Sequence, residues 1–158
     1  MYKRQTKDSI LLLKNIGPIG APGMPEAGLI PIPKKLAKQG VNDMVRISDG
    51  RMSGTAAGTI ILHVCPEAAA GGTLDIVKSG DIIKLDVNQR LLELKLSDDE
   101  IKIRQQNKNR NIKLNRRGYD KIFHESVLQA DKGVDFEFLR DLKSVSYTHL
   151  TLPTRTRV

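Results

Sequence analysis

The stretch DMVRISDGRMSGTAAGTIILHV, Asp43 to Val64, decides how this 158-residue chain is read. DMVRIS, Asp43 to Ser48, has the short apolar character of a strand and delivers the chain into DGRMSG, Asp49 to Gly54. TIILHV, Thr59 to Val64, is β-branched and apolar with no helical period, so it predicts a second strand. Ser53 sits on the glycine-rich turn between them, with Gly50 and Gly54 around it. A serine hydroxyl is a poor base or nucleophile until something lowers its pKa. A metal ion or a cluster of backbone N–H groups can do so. GRMSG resembles a Gly-x-Ser-x-Gly elbow only loosely, and the elbow's other partners are missing, so the local string by itself favours a turn serine.

Upstream, Ser9 to Leu13 predicts a short strand. NIGPIGAPGMPEAG, Asn15 to Gly28, is too rich in glycine and proline for any regular element and predicts a stiff loop. It carries Glu26, a carboxylate that could serve a hard cation such as Mg²⁺ or simply be solvated. IPIPKKLAKQG predicts a short helix, with Pro33 in the first turn and Gly40 at its stop. Downstream, PEAAAGG, Pro66 to Gly72, predicts a turn or one helical turn. In DIIKLDVNQRLLELKLS, Ile83, Leu85 and Val87 alternate with Lys84 and Asp86, and Leu92, Leu94 and Leu96 alternate with Glu93 and Lys95. Period two on both sides of an Asn-Gln connection predicts a β-hairpin with one buried face. Ser97 and Glu100 form a capping box that starts a helix running to about Gln105. A final helix is expected over Tyr119 to Leu128, with Ile122, Phe123 and Val127 on one face. No βαβ repeat is visible. The expected fold class is α+β: a β-rich domain, a partial β-barrel with flanking helices.

Composition bounds the function. No apolar run is long enough to cross a bilayer and no signal peptide is visible. The single cysteine, Cys65, excludes an internal disulfide framework and any metal site built from several thiolates of this chain. The expected compartment is the cytoplasm. The 26 basic and 18 acidic residues give a formal charge of +8, which raises a nucleic-acid partner as a possibility. Both ends weaken it. MYKRQ at the start and VSYTHLTLPT, Val145 to Thr154, resemble translated sequencing-adapter sequence. On that reading residues 1–5 and 145–158 are extraneous, and 6–144 are a domain fragment truncated at its N-terminal side. Removing Lys3, Arg4, Arg155 and Arg157 leaves 22 basic residues against 18, a charge of +4. The basic run Lys102 to Arg117 remains the best nucleic-acid candidate. It lacks aromatic residues before Tyr119 for base stacking, and a solvated surface segment explains it better. His63, inside an apolar strand, is expected to be a core or hydrogen-bonded histidine, and Cys65 makes no recognised metal pair with it.

Taken together, GPIGAPGMPE (Gly17 to Glu26), ISDGRMSGT (Ile47 to Thr55), HVCPEAAAGG (His63 to Gly72) and SGDIIKLDV resemble the C-terminal part of the dihydroxy-acid dehydratase and phosphogluconate dehydratase family, in order and in spacing. The resemblance covers about Ile10 to Leu142. MPEAGLIPIPKKL, RMSGT and RGYDKIFHESVLQADKGVDFEFL resemble the sugar-acid branch, the dehydratases of L-arabinonate and D-xylonate. The resemblance implies β-elimination of water from a 2,3-dihydroxy acid to give a 2-keto-3-deoxy acid. It implies an iron–sulfur cluster, of the 2Fe–2S type, as Lewis acid on the C3 hydroxyl. It also implies Mg²⁺ at the substrate carboxylate, with a carbamylated lysine among its ligands, and a serine alkoxide that takes the C2 proton. By residue, Ser53 matches the proton-abstracting serine, Glu26 matches a Mg²⁺ ligand, and Thr55 resembles a substrate-contacting position. His124 lies in the branch's C-terminal signature, where it could reach a substrate hydroxyl. His63 matches a family histidine of unassigned role, and Cys65 matches no cluster ligand. The cluster cysteines, the carbamylated lysine and the other carboxylates belong to the family's N-terminal domain, so the fragment alone is expected to be inactive. A homo-oligomeric parent, dimer or tetramer, is expected, with no nucleic-acid or membrane partner. The alternatives are a dihydroxy-acid dehydratase of branched-chain amino-acid biosynthesis and, from another class, a basic nucleic-acid-binding module.

Overall fold

The computed structural model describes residues 5–107 and 117–140. The adapter-like ends, apart from Gln5, and most of the basic run lie outside the described residues. Leu11–Leu13 (β1), Arg46–Ser48 (β2) and Ile60–Ile61 (β3) form a sheet in the order β1-β2-β3. Both pairings are parallel, with Leu12 opposite Ile47 and Ile47 opposite Ile61. Lys34–Ala37 (α1) lies in the β1-to-β2 connection, so a parallel crossover is present where none was visible in the sequence. The strands are only two or three residues long, below the window in which periodicity can be read.

Two apolar clusters pack around β2, one through Met44 just before the strand and the other through Ile47 within it. In the first, Leu11, Leu36 of α1 and Met44 are joined by Ile30, Ile32 and Val41. In the second, Ile47 packs with Ala68 and Leu74, joined by Leu12, Val45 and Ile83. Leu74 belongs to Thr73–Ile76 (α2), one helical turn not expected from the sequence. Lys14 Nζ ties β1 to it, donating to the carbonyls of Asp75 and Val77 at 2.8 and 3.1 Å. The start of α1 is as expected: Pro33 is its N-cap, and Gly40 at φ +81° ends the turn that follows.

Asp43 holds β2 and β3 in register. Its Oδ2 accepts from the Thr59 amide at 2.9 Å and the Thr59 hydroxyl at 2.8 Å, and its Oδ1 accepts from Arg46 Nη1 at 3.1 Å. The Thr59 hydrogen bonds keep the Asp43 carboxyl below the usual carboxylate range. Gly58, at φ +103°, is required here, because a Cβ would run into the Asp43 carboxylate.

Ile83–Asp86 (β4) and Leu91–Leu94 (β5) form the antiparallel hairpin, with Ile83 opposite Leu94 and Leu85 opposite Leu92. Its connection spans four residues, Val87 to Arg90, rather than the Asn-Gln pair alone. Arg90 takes φ +52° and its N–H bonds to the Val87 carbonyl at 3.2 Å. The apolar face is covered only near its base, and Val87 is 74% exposed. Asp98–Gln106 (α3) follows, with Ser97 as N-cap accepting from the Glu100 amide at 3.3 Å. The reciprocal half of the capping box is replaced: the Glu100 carboxylate accepts from Arg104 Nε at 2.7 Å. Arg104 also forks onto Asp81 at 2.6 and 3.2 Å, which holds the Asp81 carboxyl below its ordinary value.

Tyr119–Ser126 (α4) leads into a C-terminal segment with two short 3₁₀ turns, Ala130–Lys132 and Glu137–Leu139. Phe123 meets Phe136 edge-on at 5.8 Å, while Ile122 remains exposed. The α+β class holds, and among the described residues the strands make two open sheets with no closed barrel.

Candidate active site

The site begins where the central strand ends. Ile47 and Ser48 are wholly buried, and the chain leaves β2 into Asp49, also 0% exposed. Among the described residues Asp49 forms no ion pair. Its Oδ2 accepts from the amides of Asn15 and Ala68, each at 2.9 Å, and its Oδ1 accepts from the amide of Ile16 at 3.1 Å. Glu67, 1% exposed, does the same one loop further on. It accepts from the amides of Ile19 at 2.8 Å and Gly20 at 2.9 Å, and from Gln129 Nε2 at 2.8 Å. A buried carboxylate is tolerable only when its lone pairs are filled, and here backbone N–H groups supply most of the donors. The two acids therefore fix the first part of the Asn15–Gly28 loop. Gly50 lies so close to it that a Cβ would run into the Ile16 side chain.

The turn itself is held from three sides. The Ser48 hydroxyl accepts from the Gly50 amide at 3.0 Å. The amides of His63 and Val64 donate to the carbonyls of Gly50 and Ser48, each at 3.1 Å. Arg51 faces the Glu26 loop: its Nε donates to the Met24 carbonyl at 2.7 Å, and its carbonyl accepts from the Ala27 amide at 3.0 Å. Met24 is buried and in the left-handed region at φ +43°, while Glu26 beside it is exposed.

On this platform the Ser53 and Thr55 hydroxyl oxygens lie 2.8 Å apart, and the Thr55 amide donates to Ser53 Oγ at 3.2 Å. Ser53 is half-buried and Thr55 exposed. Donors on Oγ favour its deprotonated form. The structure thus joins the Ser53–Thr55 pair to the loop that presents Glu26. His124 lies elsewhere in the chain, on α4, and no hydrogen bond among the described residues joins it to this turn. Its Nδ1 is 2.7 Å from the Asp120 carbonyl, which can only accept. That contact puts the proton on Nδ1 and leaves Nε2 as acceptor in the neutral ring.

His63 is not a core residue of a strand. β3 ends at Ile61, and His63 is exposed at φ +55°, turned there by the bond from its amide to Gly50. Cys65 Sγ donates to Asp131 Oδ1 at 3.1 Å, and burial followed by this carboxylate pushes the thiol pKa up. A lone thiol held in this way does not fit an iron–sulfur ligand set. Glu26, an exposed carboxylate on a stiff loop, fits one oxygen ligand of Mg²⁺, which commonly takes only one or two protein carboxylates. Among the described residues no group of three or more His, Cys, Asp or Glu residues could close a metal site.

The family model for the C-terminal domain of dihydroxy-acid/6-phosphogluconate dehydratases matches residues 1–134. The chain belongs to this family. It is 50% identical over 135 residues to the 6-deoxy-6-sulfo-D-gluconate dehydratase of Pseudomonas putida, covering 85% of this chain and 23% of that protein. It is 47% identical over 150 residues to the L-arabonate dehydratase of Azospirillum brasilense, covering 89% of this chain and 26% of the relative. The L-arabinonate dehydratase of Rhizobium leguminosarum bv. trifolii (strain WSM2304) is 48% identical over 134 residues, covering 85% and 23%. This dehydratase-family chain therefore spans about a quarter of the length of these relatives, and they carry sugar-acid names. Asp49, Glu67, Arg51 and Gln129 are the site-building residues that sequence reasoning passed over. The available signal was an acid set among small or apolar residues, in ISDG and in CPEAAA.

Proposed function

We propose that this chain is the C-terminal part of a hydro-lyase that dehydrates an aldonic acid, a pentonate such as L-arabinonate or D-xylonate, to a 2-keto-3-deoxy acid. Ser53 is its base. The deprotonated Ser53 oxygen takes the proton from C2, the C–H electron pair becomes the C2–C3 double bond, and the C3 hydroxyl departs as water with a proton delivered by solvent or by residues outside this chain. The enol then tautomerises to the keto acid. The observation that carries this reading is the Ser53–Thr55 hydroxyl pair, on a turn that Arg51 ties to the Glu26 loop. The Thr55 amide, and its hydroxyl when it donates, stabilise negative charge on Ser53 Oγ.

Glu26 would give Mg²⁺ one oxygen ligand, and that ion, when bound, supplies the charge that acidifies a C–H beside a carboxylate. Thr55 and the Nε2 edge of His124 are assigned to substrate hydroxyls. The residues of this chain do not fit an iron–sulfur cluster. Assistance to the leaving hydroxyl must therefore come from residues outside it, and this chain alone is expected to be inert. The names of the relatives favour the sugar-acid substrate over a branched-chain dihydroxy acid. The test is an assay of the full-length protein containing this chain, with iron and Mg²⁺ supplied, on a panel of pentonates, hexonates and branched-chain dihydroxy acids. Keto-acid formation from a pentonate is expected. Turnover confined to the branched-chain acids, or turnover by this chain alone, would contradict the proposal.

A further inference from the structure

We infer that Arg51 is a positioning residue that sets the separation between Glu26 and Ser53. The inference rests on the function proposed above. Arg51 contacts the Glu26 loop twice and from both sides. Its side chain binds the carbonyl two residues before Glu26, and its backbone carbonyl binds the amide one residue after. It is itself two residues from Ser53. The proposed metal ligand and the proposed base, 27 residues apart in sequence, are thus referenced to one residue.

The loop has no regular structure of its own to hold that spacing, and Met24 sits in a backbone conformation a non-glycine residue seldom adopts without external support. Asp49 and Glu67 anchor the loop only as far as Gly20. Beyond Gly20, two hydrogen bonds hold the Glu26 end to the turn: one is specific to the Arg51 side chain, and the other uses the backbone carbonyl that any residue at position 51 would present. The Arg51 Nε–H reaches the Met24 carbonyl from a planar guanidinium, whose direction the flexible stem of a lysine ammonium does not fix. Residues that orient metal ligands commonly carry about 10–100-fold in metal affinity or activity.

The experiment uses Arg51→Ala and Arg51→Lys. In this chain, hydrogen–deuterium exchange of peptides spanning residues 22–28 is expected to rise about tenfold or more in Arg51→Ala, while the segment around Glu67 keeps its protection. In the full-length enzyme, the Mg²⁺ half-saturation concentration is expected to rise about 10–100-fold in both variants, with an unchanged melting temperature. Unchanged exchange in residues 22–28, together with a Mg²⁺ half-saturation within twofold of the parent, would overturn the inference. Should Arg51→Ala fail to fold, Arg51→Lys decides by the same two readouts. Glu26→Gln separates the two levels. If Glu26→Gln leaves the Mg²⁺ dependence unchanged, the proposed metal role fails, and the exchange result still judges Arg51.

Discussion

Two regions of this molecule solve the same problem, holding a carboxylate in place, by opposite means. Around the parallel sheet, Asp49 and Glu67 are buried and filled by amide donors from loops distant in sequence. Around the hairpin, Asp81 and Glu100 share one arginine, Arg104, on a helix with a conventional cap. The first arrangement makes loop shape depend on buried acids that have no substitute. The second is an ion-pair cluster with one exposed member, Glu100, and a part-buried pair, Arg104 and Asp81, whose side chains are 12% and 10% exposed. Irregular backbone is therefore rigid where the proposed chemistry needs it, and regular structure is held more cheaply where it does not.

The largest effect should come from breaking the first arrangement. Asp49→Ala strands three amides, two of them in the loop and one at Ala68 in the buried segment after β3. At roughly 1–3 kcal/mol per unsatisfied buried donor, partly relieved by relaxation, we expect a loss of about 3–5 kcal/mol, read as a shift of the denaturation midpoint. Gly50→Ala should come next. Its Cβ overlaps Ile16, and overpacking of this kind costs about 1–3 kcal/mol. Chemical denaturation and exchange at residues 15–20 would check it.

Arg104→Met should destabilise less than either, and its effect should depend on pH. The Asp81 carboxyl is depressed in the folded chain, so its stabilising contribution is present above the unfolded carboxylate pKa. It is lost as pH falls through the lower folded value. Melting curves of the parent and Arg104→Met should differ at pH 7 and converge as the pH drops below 4. An equal difference at both ends would break the comparison. Val87→Thr, at the open hairpin tip, should change stability by no more than about 0.5 kcal/mol, because Val87 touches little.

The contrast also governs what could be read from sequence. The hairpin and the Ser97 cap were legible because their signals are local: alternation in DIIKLDV and LLELKLS, and a serine three residues before a glutamate. The three strands of the parallel sheet were legible as strands, but their parallel pairing through a crossover was not, since paired segments of two or three residues carry no period that sets partner or direction. TIILHV predicts a strand through His63 because Ile60, Ile61, Leu62 and Val64 are apolar and mostly β-branched. A tertiary bond to Gly50 turns the chain out after Ile61, and nothing in the hexapeptide records that bond. At the site, Ser53, Thr55 and Glu26 could be named through the family resemblance, while the residues that position them could not. Asp49 and Glu67 look like turn and surface acids until the loop they hold is seen in place.

The most direct test of the central claim is Ser53→Ala in the full-length protein, with pentonate dehydration and Mg²⁺ half-saturation measured on the same preparation. Removing the base should lower kcat by about 10²–10⁴-fold while Mg²⁺ half-saturation stays within twofold of the parent. A variant that retains kcat within tenfold would contradict the assignment of Ser53 as the residue that takes the C2 proton.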